Sequence, residues 1–188
     1  MSKIGKKNII VPQESSIKIE GANLTVTGPK GTKKLTINDK IFSSKLIENK
    51  FEIQPLQKKV DKKTSIMWGT YRSLVNNAVM GVSKGHEKIL ELNGVGFRAN
   101  LKGELLNLQI GFSHDINFKI PKDVKITVEK QTVIKINGVD KELVSKIAAD
   151  IKNLKPVEPY KGKGIKERGQ FILRKEGKKK WWKKLIQK

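Results

Sequence analysis

Hydrophobic and polar residues alternate with a period of two through the first part of the chain, which is the pattern of half-buried β-strands. Residues 17–19 and 24–26 flank a glycine-containing turn and predict one β-hairpin, and residues 46–47 and 51–53 predict a second. Residues 35–37 predict a further short strand. The chain is therefore expected to begin with a small, mostly antiparallel sheet.

The period changes near position 60. Apolar side chains then recur every three to four residues, which predicts a helix from about Lys62 to Val82 that Asp61 or Thr64 can cap. Gly69 lies inside this helix, where glycine is less favourable than alanine by about 1 kcal/mol, so we expect a close neighbour there.

Two surface features are predicted around this helix. Residues 2–7 are expected to form a short, basic arm that extends over the surface. Trp68 and Arg72 lie four residues apart on one helix face. We interpret them as a stacked surface pair, and the alternative is a contact with RNA.

The second half of the chain repeats the pattern of the first at an offset of about 82 residues. Residues 99–108 resemble residues 17–26 in the order of their apolar positions, and both stretches lead through further strands to one helix. Asp140 can cap the second helix. Its predicted buried stripe consists of four apolar residues: Leu143, Ile147, Ile151 and Leu154.

We therefore predict an α+β fold of two tandem duplicated modules, each a small, mostly antiparallel sheet packed with one helix, plus a basic C-terminal tail. The first module comprises residues 1–82, including the basic N-terminal arm. The second comprises residues 83–175 and carries the basic loop described below. The tail comprises residues 176–188.

Charge narrows the class of partner. The 188 residues carry a net charge of +22, and residues 155–188 alone contribute +10 of it. A polyanion must balance such an excess, with nucleic acid as the first candidate and an anionic membrane surface as the second. The absence of cysteine excludes a disulfide, a thiolate zinc site and a cysteine nucleophile. No run of about 18 apolar residues predicts a membrane span.

The most informative stretch is residues 156–166, PVEPYKGKGIK. Two prolines stiffen its entry, Tyr160 follows, and lysine and glycine then alternate. Glycine lets a backbone approach a bulky ligand and bare its N–H groups, and lysine places ammonium groups beside them. We predict a loop that binds a phosphate backbone, in which Gly162 and Gly164 serve binding and not stability. The alternative is an ordinary solvated loop.

Motifs for catalysis or cofactor binding are weak. Residues 94–99 match G-x-G-x-x-A, but the following residues alternate with period two instead of opening a helix, which argues against dinucleotide binding. Residues 28–33 lack the spacing of a P-loop. His86 and His114 are the only histidines, and neither neighbours a serine–carboxylate arrangement. We expect no enzymatic activity, cofactor, metal site or small-molecule substrate.

The C-terminal segment continues the basic pattern. Residues 171–173 predict a final strand on the second sheet, and Trp181 and Trp182 stand among lysines near the end. Basic clusters with aromatic residues bind RNA through phosphate neutralisation and stacking. The same composition suits a membrane interface, so a peripheral membrane protein anchored by residues 178–188 is the alternative function.

With these motifs in place, the chain resembles the large-subunit ribosomal protein six family over essentially its whole length. Residues 159–165 (PYKGKGI) are similar to the signature of that family. Residues 69–74 (GTYRSL), 92–99 (LNGVGFRA), 111–114 (GFSH) and 174–179 (RKEGKK) resemble further segments of its bacterial-type members.

The resemblance implies a duplicated two-domain fold and a structural, non-enzymatic role. It implies binding to large-subunit rRNA near the stalk base and the factor-binding centre, beside neighbouring large-subunit proteins, mostly through the second domain and the tail. The residues expected to contact RNA are Lys3, Lys6, Lys7, Tyr160, Lys161, Gly162, Lys163, Gly164, Lys166, Arg168, Arg174, Lys175, Lys178, Lys179 and Lys180.

The source compartment is predicted from composition and one motif. Residues 67–70 (MWGT) resemble alphaproteobacterial versions of the family, and lysine, isoleucine and asparagine are used heavily. Together with the absence of a transit peptide, these features favour a ribosome in the mitochondrial matrix, with an organelle-encoded protein, over one in a bacterial cytoplasm.

Overall fold

A computed structural model describes residues 2–57 and 61–177. The chain forms two compact units, one of residues up to Glu87 together with Asn137–Val144, the other of Lys88–Ile136 and the residues from Ser145 onward. The chain thus passes from one unit to the other three times. The predicted division after residue 82 stays a prediction, because compactness does not test whether each module folds by itself.

The first unit combines two small sheets with a helix. Its elements are β1 (Ile9–Ile10), β2 (Ser16–Glu20), β3 (Asn23–Gly28), β4 (Gly31–Thr36), β5 (Phe42–Ile47), β6 (Lys50–Pro55) and α1 (Lys62–Ser83). The sheets have the orders β2-β3-β4 and β1-β6-β5, and neighbouring strands are antiparallel. Both predicted hairpins are confirmed, with Ile17 opposite Val26 and Leu46 opposite Phe51.

Helix α1 closes the core of this unit by packing on β3, β4 and β6. Its buried face includes Val75, Ala78, Val79 and Val82, which recur at the predicted spacing of three to four residues. Asp61 occupies the predicted N-cap position, but its side chain makes no capping hydrogen bond. Among the residues that the structure describes, no helix is both long and apolar enough to cross a bilayer.

Trp68 belongs to this core, and the prediction of a stacked surface pair with Arg72 is wrong. The Trp68 side chain is only 5% exposed, and its Nε1–H donates to the carbonyl oxygen of Ile53 at 2.7 Å. Arg72 turns to the N-terminal residues, where its Nε donates to the carbonyl oxygen of Lys7 at 3.2 Å. Burial of the large indole is favourable once its N–H has an acceptor.

Residues 2–7 form a turn packed against α1, so the prediction of an extended arm is also wrong. The Gly5 N–H donates to Ser2 Oγ at 3.1 Å. Gly5 itself is buried, and a Cβ built on it would lie 2.5 Å from the Trp68 ring. Glycine is therefore required for the turn to reach the indole.

The second half of the chain repeats this arrangement, and most of its residues lie in the second unit. Its elements are β7 (His86–Asn93), β8 (Arg98–Lys102), β9 (Leu105–Gln109), β10 (Ile116–Lys119), β11 (Val124–Glu129), β12 (Val133–Gly138), α2 (Lys141–Leu154) and β13 (Gly164–Glu167). The order β8-β9-β10 corresponds to β2-β3-β4, and β7-β12-β11 corresponds to β1-β6-β5. The predicted duplicated α+β fold is confirmed, with two small sheets in each repeat instead of one.

Helix α2 buries a stripe that is displaced from the predicted one. The fully buried side chains are Val144, Ile147, Ala148 and Ile151. Leu143 and Leu154, which the prediction included, are only half-buried. Asp140 caps the helix as predicted, because its Oδ1 accepts from the N–H of Glu142 at 3.1 Å.

Strand β13 is the final strand among the described residues, and the prediction of a strand at 171–173 is wrong. Gly164–Glu167 adds to the outer edge of β7, where Ile165 lies opposite Leu92. Phe171 is 86% exposed and lies outside any strand. The basic loop itself thus supplies the strand, since Ile165 is the apolar side chain that the sheet buries.

Ion pairs fasten β13 to its surroundings in the second unit. The Glu167 carboxylate accepts from Lys88 Nζ at 2.8 Å and from Lys152 Nζ at 2.9 Å, and Lys166 pairs with Glu91 at 3.0 Å. The hydrogen bond from Lys88, followed by that from Lys152, outweighs partial burial and holds the pKa of Glu167 below its ordinary value of 4.5.

Two glycines of α1 should respond to alanine in opposite ways. A Cβ at Gly81 would lie 2.0 Å from the carbonyl oxygen of Val139, so Gly81→Ala should lower the free energy of unfolding by about 1–3 kcal/mol. The nearest atom at Gly69 is Ser2 Oγ at 3.2 Å, which can move, so Gly69→Ala should raise that free energy by up to about 1 kcal/mol. Urea unfolding measures both, and effects of the same sign would contradict these contacts.

Stability should depend on pH through Glu167. Because folding lowers the pKa of this carboxyl, its stabilisation is fully present above 4.5 and is lost as the pH falls through the folded-state pKa. Glu167→Gln should be less stable than the unaltered protein at neutral pH, and the difference should disappear in acid. Urea unfolding across this range measures it, with Glu129→Gln, which removes an exposed carboxylate paired with Lys135, as the control. If the difference in free energy of unfolding between Glu167→Gln and the unaltered protein does not change with pH, the stabilising role of ionised Glu167 is contradicted.

Candidate nucleic-acid interface

Strand β13 fixes the base of the basic loop, residues 156–166. Ile165 is completely buried, and its N–H donates to the carbonyl oxygen of Lys155 at 2.9 Å. The loop, which begins after α2, therefore starts and ends at neighbouring points. This anchor holds a lysine- and glycine-rich segment that would bury too little apolar surface to order itself.

Two backbone hydrogen bonds close the tip of the basic loop. The Glu158 N–H donates to the carbonyl oxygen of Lys163 at 2.8 Å, and the Gly162 N–H donates to the carbonyl oxygen of Glu158 at 3.1 Å. The prediction that the glycines bare their N–H groups to a ligand is wrong at Gly162, because that N–H is used inside the loop.

The two loop glycines have different structural roles. Gly164 has a φ of +138°, and a Cβ there would lie 2.6 Å from Val157 Cα and 2.7 Å from the carbonyl oxygen of Pro156. Gly162 has a φ of +71°, but the nearest atom to its Cβ position is Arg174 Nη2 at 3.4 Å, an ordinary contact. Gly164 therefore serves the fold, which contradicts its predicted role in binding alone.

The closed loop directs its cationic side chains outward. Lys161 and Lys163 are exposed, and within residues 2–57 and 61–177 the structure shows no ion pair for either of them. Tyr160, beside them, is 58% exposed. Lys166 differs, because it is half-buried and its charge is engaged by Glu91.

Residues that follow β13 bring more cations to the loop. The Lys175 N–H donates to the carbonyl oxygen of Pro159 at 2.8 Å, and the guanidinium of Arg174 lies against Gly162. Both side chains are exposed, as is that of Arg168 at the end of β13. We name the residues that meet at the loop the loop cluster: Tyr160, Lys161, Lys163, Arg174 and Lys175.

Other residues expected to contact RNA belong to the first unit or lie outside the described residues. Lys3, Lys6 and Lys7 are exposed on the turn packed against α1, which belongs to the first unit, whereas the loop cluster belongs to the second. Lys178, Lys179 and Lys180 lie outside the described residues, as does the segment on which the membrane alternative depends.

Sequence reasoning missed β13 and the backbone bond between Lys175 and Pro159. A four-residue strand with one fully buried side chain carries too little periodicity to be recognised among lysines and glycines. The approach of Lys175 to Pro159 joins residues that are far apart along the chain, and no local pattern marks it. Arg174 and Lys175 are among the residues predicted to contact RNA, but the sequence does not indicate that they approach the loop.

Comparison with known proteins identifies the family. The model of the family described as ribosomal protein L6 matches residues 11–85 and 93–168, one stretch in each half of the chain. The chain is 47% identical over 180 residues to the large ribosomal subunit protein uL6 of Beijerinckia indica subsp. indica. It is 44% identical to the protein of that name from Sphingopyxis alaskensis and 43% identical to that from Paracoccus denitrificans, also over 180 residues.

These alignments cover almost the whole of both sequences. Each of the three spans 96% of this chain and 100% of the relative. The matched stretches include the basic loop and β13, so the segment that builds the candidate interface lies within the shared region. The resemblance inferred from the motifs is confirmed, and the chain belongs to the ribosomal protein L6 family.

Proposed function

We propose that the protein is a structural constituent of the large ribosomal subunit that binds large-subunit rRNA through the loop cluster. The family is structural and non-enzymatic, and the relatives named above are large-subunit proteins whose whole length this chain covers. The observation that carries the proposal is a loop closed by its own backbone that presents exposed cations and a tyrosine.

The chemistry of the loop cluster suits folded RNA. Lys161 and Lys163 can neutralise neighbouring phosphates, and counterion release then drives binding. Arg174 presents a planar guanidinium that can bind one phosphate through two hydrogen bonds. Tyr160 can stack on an unpaired base. Because the backbone is already ordered, binding loses little conformational entropy there.

The proposed surface extends beyond the loop cluster. Lys166 in β13 and Arg168 just after it continue this surface. Lys3, Lys6 and Lys7 are proposed as RNA contacts of the first unit in their own right. The predicted contacts in the tail at 178–180 remain part of the proposal on the grounds of charge alone. Gly162 and Gly164 contribute by shaping the loop.

The position on the ribosome rests on the family resemblance. That resemblance implies a site near the stalk base and the factor-binding centre, beside neighbouring large-subunit proteins, where the protein supports subunit assembly and translation. The mitochondrial location rests on composition, residues 67–70 and the expected absence of a transit peptide, and the relatives named above, which are bacterial, do not support it.

Removing the two loop lysines should reduce the salt dependence of RNA binding. In Lys161→Ala/Lys163→Ala, the absolute value of the slope of log K against log salt concentration should fall by about 1.4–1.8, because each phosphate contact contributes about 0.7–0.9. Fluorescence anisotropy with protein-free large-subunit rRNA measures the slope.

A matched variant separates the loop from net charge. Lys122→Ala/Lys125→Ala removes two exposed lysines from the same unit and should leave the slope unchanged. An equal decrease in both double variants would exclude the loop as the site and leave overall charge as the cause.

Asparagine should distinguish the two loop glycines. Gly162→Asn should change the free energy of unfolding by only a few tenths of a kcal/mol, since asparagine tolerates a left-handed backbone and meets only ordinary contacts there. Gly164→Asn should lower it by about 1–3 kcal/mol or more, because its Cβ meets backbone atoms. Thermal and urea unfolding measure both. Equal losses would contradict the assigned packing of Gly164.

A further inference from the structure

A turn in the second unit exposes two aromatic rings. Residues 110–115 connect β9 to β10; Ile110 is buried, and residues 111–115 are all exposed. The ring of Phe112 stacks on that of His114, with centroids 6.4 Å apart and planes inclined by 24°. Phe112 is 46% exposed. A single exposed apolar residue is ordinary, but two exposed rings stacked on each other leave an outer ring face of the kind that stacks on a base.

Lys155 places a positive charge at these rings. Its Nζ lies 4.7 Å from the centroid of the Phe112 ring. Lys155 also directly precedes the basic loop, and its carbonyl oxygen accepts the N–H of Ile165 at the base of that loop. The aromatic turn and the loop cluster are therefore linked through one residue, so both can belong to a single RNA-binding face.

The aromatic turn is held in place from within the unit. Gly111 has a φ of +78°, and a Cβ on it would lie 3.2 Å from the ring of Phe97. Asp115 Oδ2 accepts hydrogen bonds from Asn107 Nδ2 at 3.4 Å and from Gln109 Nε2 at 3.3 Å. The two rings are thus carried on an ordered support, which reduces the entropy that a ligand would lose in fixing them.

We propose that Phe112 and His114 form a platform on which an unpaired base of rRNA stacks, with Lys155 at the phosphate of that nucleotide. The proposal rests on the proposed function and specifies the kind of RNA that the second unit takes, namely a single-stranded loop or bulge whose base is free to stack. A protein partner is less favoured, because Ser113 and Asp115 beside the rings are polar and do not extend an apolar patch.

Titration of the full chain with protein-free large-subunit rRNA at several salt concentrations tests the platform. Phe112→Ala should weaken binding by about 5- to 150-fold, the loss expected for one stacked base. The slope of log K against log salt should not change, because the ring neutralises no phosphate. Lys155→Gln should instead reduce the absolute value of this slope by about 0.7–0.9, because one phosphate contact is lost.

Two further variants serve as controls. Phe112→Trp should retain the affinity, since indole also stacks on bases. Val95→Ala alters another apolar side chain of the same unit, which is 92% exposed, and should bind like the unaltered protein. Because Phe112 is about half exposed, at 46%, its loss should lower the melting temperature only slightly.

The outcomes separate this inference from the proposed function. If the unaltered protein binds rRNA and Phe112→Ala binds equally well, the platform is excluded and the proposed function stands. If the unaltered protein does not bind rRNA, the proposed function fails. Equal losses in the alanine and tryptophan variants would exclude stacking.

Ultraviolet crosslinking of intact large subunits that contain the protein gives an independent readout. A nucleotide attached to the peptide that carries Phe112 and His114 is the expected product. Attachment of this peptide to another protein instead, in a parallel chemical crosslinking experiment, would assign the turn to a protein partner and overturn the platform.

Discussion

The antiparallel pairing of β13 with β7 is the contact on which the candidate interface depends. It buries Ile165 completely and places it opposite Leu92. The same residue donates its N–H to Lys155 at the start of the basic loop, so one strand anchors both ends of that loop. A segment rich in lysine and glycine buries too little apolar surface to order itself, and the sheet edge supplies the missing partners for its backbone.

The two repeats share one scaffold, and the basic loop with its strand β13 is an additional feature of the second repeat. Both units contain a three-stranded meander and a second sheet with matching strand order. In the described part of the chain, β13 extends that second sheet only in the second unit. The first unit instead packs its N-terminal turn on Trp68. Two repeats with similar cores thus differ in what their edges carry, which explains why the loop cluster occurs in one of them.

The neighbours of each lysine decide what its charge does. Lys88 and Lys152 hold Glu167, and Lys166 pairs with Glu91, so these charges stabilise the attachment of β13. Lys161 and Lys163, at the tip of the loop, form no such ion pair among the described residues and remain available to an external anion. A charge excess read from composition therefore divides into cations that hold the fold and cations that can meet a polyanion.

The sequence by itself determined the two helices and most of the strands, the duplication, the basic character and the family, because periodicity, turns and motifs are properties of neighbouring residues. Helix α1 was predicted from Lys62 to Val82 and ends one residue later. Only the tertiary structure decided that Trp68 is buried, that Gly164 packs against backbone, and that the loop supplies β13. Each of these three features depends on contacts between residues that are not neighbours along the chain. Such contacts produce no periodic pattern in the sequence.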